Sequence, residues 1–126
     1  MKKFRRILLA VMFLAGCEAS GQGYLSQQKL LQMINRSASP VVVDVRSQRE
    51  YQAGHVPGAL HVPFWTAFTT QRLVKVNKER LLVLYCEHGP RAGVAKLAFS
   101  LAGYQHVVYL AGHMSAWREA GLPMEK

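Results

Sequence analysis

Leu81-Leu82-Val83-Leu84-Tyr85-Cys86-Glu87-His88-Gly89-Pro90-Arg91 contains a change of period on which the architecture of the whole chain depends. Leu81 to Tyr85 is a short, unbroken apolar run rich in strand formers, the pattern of a strand covered on both faces in a parallel sheet. Ala92 to Leu101 then repeats its apolar residues at helical spacing. Cys86 therefore stands at the carboxyl end of a strand, the edge at which open α/β sheets bind ligands. A loop there can aim successive backbone N–H groups inward, and the helix that follows adds its positive dipole end. Gly89 permits backbone angles closed to other residues, Pro90 stiffens the helix entry and Arg91 adds a fixed charge. A free cysteine taken alone is most often a small buried hydrophobe. Its place at a strand end, with Gly89 and Arg91 behind it, favours instead a thiolate nucleophile in an anion-binding loop formed by Glu87, His88, Gly89, Pro90 and Arg91.

The same alternation extends in both directions. Ser26 is suited to cap a helix through Leu30, Leu31 and Ile34, and Val41 to Val43 is a buried strand ending at Asp44, Val45 and Arg46. Ser47 with Glu50 three residues later forms a capping box for a helix over Gln48 to Ala53, closed by Gly54. A turn at His55-Val56-Pro57-Gly58 leads into a strand from Ala59 to Val62, and a helix is expected from Phe64 to Leu73 despite Thr66, Thr69 and Thr70. After a charged link to Arg80 and the Cys86 unit, Gly103 ends the helix, Val107 to Leu110 is a strand, and Met114 to Ala120 is a last helix stopped by Gly121. Strands alternating with helices specify an α/β fold, a small and mainly parallel sheet with helices on both faces.

With 126 residues, half of them apolar, the chain has room for one core and one domain. The net charge of +9 includes Lys2, Lys3, Arg5 and Arg6; without these, twelve basic residues face seven acidic ones, a balance of +5. The remainder carries no aromatic-interleaved basic stripe, which argues against a nucleic-acid partner. Arg72 to Arg80 is its one concentration of positive charge and reads as a solvated face. Residues 1 to 16 have the basic start, apolar run and small-residue end of a cleaved export signal, and the run from Ile7 to Ala15 falls short of the about 20 residues a spanning helix needs. Leu14-Ala15-Gly16-Cys17 resembles the lipobox of bacterial lipoproteins. That resemblance implies cleavage before Cys17, lipid (palmitate among it) on the Cys17 sulfur and amine, and a membrane anchor on the periplasmic side of the cell envelope. Glu18, in place of the Asp that retains such proteins at the inner membrane, points to the outer membrane. Residues 17 to 23 then form a lipidated tether and residues 24 to 126 the folded domain. With Cys17 spent on lipid, Cys86 has no disulfide partner, and a lone thiol kept in an oxidising compartment argues for use.

Asp44-Val45-Arg46, Glu50-Tyr51, Gly54-His55-Val56-Pro57-Gly58-Ala59, the loop Cys86 to Arg91, and Gly112 with Trp117 and Gly121-Leu122-Pro123 together resemble a single-domain rhodanese over about residues 24 to 124. The resemblance implies a rhodanese-like fold and a thiosulfate-type sulfurtransferase. Cys86 would attack the outer sulfur of a small anionic sulfur donor, become a persulfide, and pass the sulfur to a thiophilic acceptor such as cyanide or a thiol, a protein thiol included. No cofactor is implied. One departure is the family's Gly-Gly before the last helix, which is Gly112-His113 here; His113 is expected to alter the rim of the pocket or the acceptor preference without touching the loop that carries the nucleophile.

Side-chain roles follow from position. Arg91 either supplies charge to the site or holds the loop, and both remain open at the start of a helix. His88 is placed at the rim, in recognition rather than acid–base work. Asp44 and Arg46 organise the sheet edge, with Arg46 and Glu50 expected as a structural ion pair. Trp117, Phe99 and Tyr104 are core. His55, His61, His88, His106 and His113 show no spacing suited to a metal site. Two rival functions are a Cys-dependent phosphatase or arsenate reductase, which places five residues between Cys and Arg where this chain has four, and a non-enzymatic sulfur-carrier or partner-binding module.

Overall fold

The computed structural model describes residues 23–70 and 74–126. Five parallel strands form one sheet: β1 (Tyr24–Leu25), β2 (Val41–Asp44), β3 (Leu60–His61), β4 (Leu81–Tyr85) and β5 (His106–Leu110), in the order β1-β5-β4-β2-β3. The helices are α1 (Gln27–Asn35), α2 (Gln48–Ala53), α3 (Ala67–Thr70), α4 (Pro90–Leu101) and α5 (His113–Glu119), with a single 3-10 turn at Phe64–Thr66. The α/β expectation is met: β4 is central, flanked by β2 and β5, and because the strands run parallel their carboxyl ends open on one edge.

The apolar runs of β2 and β4 are divided between two cores by the two-residue period of a strand. Val41, Val43, Leu82 and Leu84 face one way, against Ala92, Ala95 and Phe99 of α4. Val42, Val83 and Tyr85 face the other way, against Leu30 of α1 and Met114 and Trp117 of α5. Neither face meets water, which is why these strands are continuously apolar rather than alternating. Phe99, Tyr104 and Trp117 are buried as expected, and the Trp117 indole N–H donates to the Pro123 carbonyl at 2.8 Å.

Local capping signals are realised. The Ser26 hydroxyl accepts the Lys29 N–H at 3.1 Å, and Ser47 with Glu50 closes a reciprocal capping box. Three differences have local causes. The helix expected over Phe64 to Leu73 is a 3-10 turn followed by one short helix, within which the Thr66, Thr69 and Thr70 hydroxyls bond back to carbonyls one turn earlier and compete with the helical ladder; residues 71–73 lie outside the described residues. The strand expected at Ala59 to Val62 keeps two residues, Leu60–His61. β1 was not signalled by its two residues, and is held by parallel pairing of Tyr24 and Leu25 with Tyr109 and Leu110. The expected signal peptide and Cys17 lie outside the described residues. Among the described residues no helix is long and apolar enough to cross a membrane.

Candidate active site

Three loops meet at the carboxyl edge of the sheet: Val45 to Ser47 after β2, Cys86 to Gly89 after β4, and Ala111 to Gly112 after β5. Cys86 sits at the centre, 1% exposed. Its sulfur accepts the Gly89 N–H at 2.9 Å, and the Ala92 N–H also points at it. The geometry requires glycine at residue 89, whose φ of 131° is closed to other side chains, and it lets the chain fold back over the sulfur before α4 starts at Pro90. Gly89 caps α4 without a side chain, which leaves the first N–H groups of the helix free to serve the sulfur.

The thiol is brought down to about 7: burial pushes it up, but contact with the His113 ring, the Ala92 and Gly89 N–H groups and the charge on His113 outweigh that cost. A substantial share of Cys86 is thus thiolate near neutral pH, the form that acts as a nucleophile.

The charged side chains around the loop are matched to one another. Arg91 forks both carboxylate oxygens of Glu50, at 2.7 and 2.9 Å, and this fork holds the Glu50 carboxyl down to about 2, against the opposing effect of burial. Of the two roles open to Arg91, holding the loop to α2 is the one its side-chain geometry realises. Glu87 accepts from Arg118 at 2.6 Å and from Arg46 at 3.2 Å, and is held below the usual carboxylate range chiefly by Arg118. The expected Arg46–Glu50 pair does not form. Arg46, 1% exposed, instead turns back on the fully buried Asp44 at 2.8 Å and donates to the Gly54 carbonyl at 2.7 Å. A buried carboxylate needs a full counter-charge, and Arg46, two residues on, reaches it first. Glu50 is left to its capping box and to Arg91.

With these guanidiniums engaged on carboxylates, the groups that face the Cys86 sulfur include the backbone N–H groups of Gly89 and Ala92. His88 is exposed. A hollow of about 280 Å³ opens beside the loop and is lined by Arg46, Glu50, Glu87 and Arg118, without Cys86. Among the described residues no group of three His, Cys, Asp or Glu side chains is arranged to hold a metal ion.

His113 requires a correction. It was expected to leave the nucleophile's loop untouched, yet its Nδ1 accepts the Cys86 backbone N–H at 3.2 Å and its ring lies against Gly89. The first turn of α5 adds two bonds to the same loop, from Met114 N–H to the Cys86 carbonyl at 3.0 Å and from Ser115 N–H to the Glu87 carbonyl at 3.2 Å. The available signal was a side chain standing where the resemblance has a second glycine.

Comparison with known proteins agrees with this geometry. Residues 26–120 match the Rhodanese-like domain. The chain is 30% identical over 100 residues to a sulfurtransferase of Allochromatium vinosum, covering 79% of this chain and 92% of that protein. It is 31% identical over 98 residues to the uncharacterized protein slr1261 of Synechocystis, covering 78% of this chain but only 54% of that protein. Among solved structures, the human single-domain sulfurtransferase TSTD1 superposes with a TM-score of 0.68 at 29% identity, covering 79% of this chain and 97% of the human one. A buried thiol facing backbone N–H groups at the end of a central parallel strand, in a chain matched over residues 26–120, identifies this protein as a member of the rhodanese-like family.

Proposed function

We propose that the protein moves a sulfane sulfur from thiosulfate or a similar small anionic donor to a thiophilic acceptor, cyanide or a thiol, through a persulfide on Cys86. The observation that carries this reading is the Cys86 sulfur seated at 2.9 Å from the Gly89 N–H, in a tight ring that suits a donor presenting a terminal sulfur. The thiolate attacks the outer sulfur, the donor's sulfur–sulfur bond breaks, and sulfite leaves with its electron pair. An acceptor thiolate or cyanide then removes the outer sulfur and restores Cys86. The four residues between Cys86 and Arg91 support this chemistry over phosphoryl or arsenate chemistry, whose loop is one residue longer.

The delivery of this domain belongs to the same proposal. Residues 1 to 16 serve as a lipoprotein signal peptide, Cys17 carries the lipid, and the domain from residue 24 faces the periplasm, on the outer rather than the inner membrane.

Intact mass spectrometry before and after exposure to thiosulfate tests the chemistry. A gain of one sulfur atom on Cys86, lost again on adding cyanide, is expected. No gain, together with hydrolysis of aryl phosphates, would replace the reading with the phosphatase one; sulfur loading without turnover would leave a carrier.

A further inference from the structure

The exposed apolar side chains of the domain are not scattered. Of the eight large ones left exposed among the described residues, five stand on the layer that covers one face of the sheet: Trp65 of the 3-10 turn, Phe68 of α3, and Val94, Leu97 and Leu101 of α4. The turn and α3 lie against α4, and Ala67 joins Ala95 and Ala98 in the core beneath them. Residues 94, 97 and 101 recur at helical spacing on the side of α4 opposite the buried Ala92, Ala95 and Phe99. A helix that is apolar on both sides belongs between two apolar layers, and the fold supplies only one. Single apolar residues on a surface are ordinary, whereas a contiguous patch marks a surface that meets something apolar.

Charge and tether together say what that is. Residues 64–80 and 90–101, which build this layer, include six basic residues and one acidic residue, Glu79. Lys75 and Lys78 are exposed near the carboxyl end of α4: Lys75 follows Val74, whose carbonyl accepts the Tyr104 hydroxyl at 2.7 Å, and the Lys78 ammonium donates to the Ala102 carbonyl at 2.6 Å. Lys96 flanks the stripe, 4.8 Å above the Tyr109 ring. An apolar stripe with cations at its margins and an exposed tryptophan within it matches the headgroup layer of an anionic bilayer. A Cβ on Gly23 would stand 3.8 Å from the Lys96 Nζ, so the chain enters the domain beside α4. The seven residues from Cys17 to Gly23 reach at most about 25 Å, which keeps the α4 face close to any bilayer that holds Cys17.

We propose that the face formed by α3 and α4 is a second membrane contact, seating its apolar stripe in the headgroup region of an anionic phospholipid surface. The inference goes beyond the sulfur chemistry and rests on the delivery reading, in which Cys17 carries lipid. The lipid retains the protein, and the face orients it. By itself the face is a weak and reversible contact; the short tether makes it intramolecular and so raises its occupancy. α4 begins beside Cys86 and runs back along the sheet. With α4 laid on the bilayer, the carboxyl edge of the sheet faces along the membrane plane, and a sulfur donor or acceptor in the water layer at the membrane surface reaches Cys86 from the side.

Trp65 reports on the contact directly, because the chain's other tryptophan, Trp117, is fully buried. The protein, expressed as the full chain, is reconstituted at about 5 mM lipid into phosphatidylcholine vesicles with and without about one-third phosphatidylglycerol, the acyl chains brominated near the headgroup. A Trp65→Phe protein supplies the Trp117 background. On anionic vesicles the Trp65 emission is expected to shift to the blue and to fall by about half, as for a side chain seated about 5–10 Å into the headgroup boundary. Leu97→Gln combined with Leu101→Gln, at exposed positions where glutamine suits a helix, should melt with the natural protein and keep its full emission. Absence of quenching on anionic vesicles, quenching as strong on neutral ones, or quenching unchanged by the paired substitution overturns the inference; the first of these would leave the patch to a protein partner. Lipid at this concentration populates even an association of about 10⁴ M⁻¹, so the outcome does not depend on the anchor. The mass of the purified chain shows separately whether Cys17 carries lipid, and a bare Cys17 would count against the delivery reading instead.

Discussion

Replacing Glu50 by Gln removes one charge from the side chain that ties α2 to the active loop, while keeping its length and its capacity to cap α2. Glu50 binds Arg91 through two bonds, at 2.7 and 2.9 Å, and its carboxyl is lowered from 4.5 to about 2, first by Arg91 and in part by Ser47. Converted in full, that difference sets a ceiling of about 3 kcal/mol. The side chain is 33% exposed, and solvent screening reduces the expected contribution to about 1–2 kcal/mol. For a domain of this size the melting temperature should fall by about 5–15 °C at pH 7. Because the folded carboxyl lies below its unfolded value of 4.5, the contribution is present in full above about pH 5 and is lost as pH falls through the folded value of about 2. Denaturant unfolding of natural and Glu50→Gln proteins between pH 7 and pH 2 measures this directly, and the two curves should converge toward the acid end. A stability difference that stays constant over that range, or none at pH 7, would refute the assignment of the Glu50–Arg91 fork as the tie that holds the loop.

Three further outcomes are expected. Cys86→Ser should form no persulfide with thiosulfate and should unfold within about 1 kcal/mol of the natural protein, since the hydroxyl is smaller than the thiol and cannot take up a sulfane sulfur; mass spectrometry and thermal melting check both halves, and sulfur loading elsewhere on the chain would displace Cys86 as the nucleophile. Cys17→Ser should release the protein from membranes in cell fractionation while sulfur transfer by the folded domain continues; retention after stripping of peripheral proteins would favour an uncleaved apolar anchor. Trp117→Ala, which empties a fully buried site and frees the Pro123 carbonyl, should cost about 3–5 kcal/mol in denaturant unfolding, and a loss below about 1 kcal/mol would mean that the α5 face of the sheet repacks around the gap.

Elements specified by neighbours in the chain were legible from the residues alone. The capping box of Ser47 and Glu50, the buried strands at Val41 and Leu81, the α4 stripe and the position of Cys86 at a strand end all follow from periods of two and 3.6 and from local hydrogen bonds. The resemblance built on those motifs named the family that the comparison over residues 26–120 then showed. Tertiary structure decided which long-range partners meet. Glu50 and Arg91 are 41 residues apart, as are Arg46 and Glu87, and the choice between these pairs and the expected Arg46–Glu50 pair depends on how parallel strands bring three loops to one edge of the sheet. The two-residue β1 exists only through its pairing with β5. His113, 27 residues beyond Cys86, reaches the Cys86 backbone N–H because adjacent β4 and β5 end side by side and the turn after β5 takes a left-handed step toward the loop. Sequence spacing records the step along a strand or helix, but not the strand order and register that bring distant side chains together at the sheet edge.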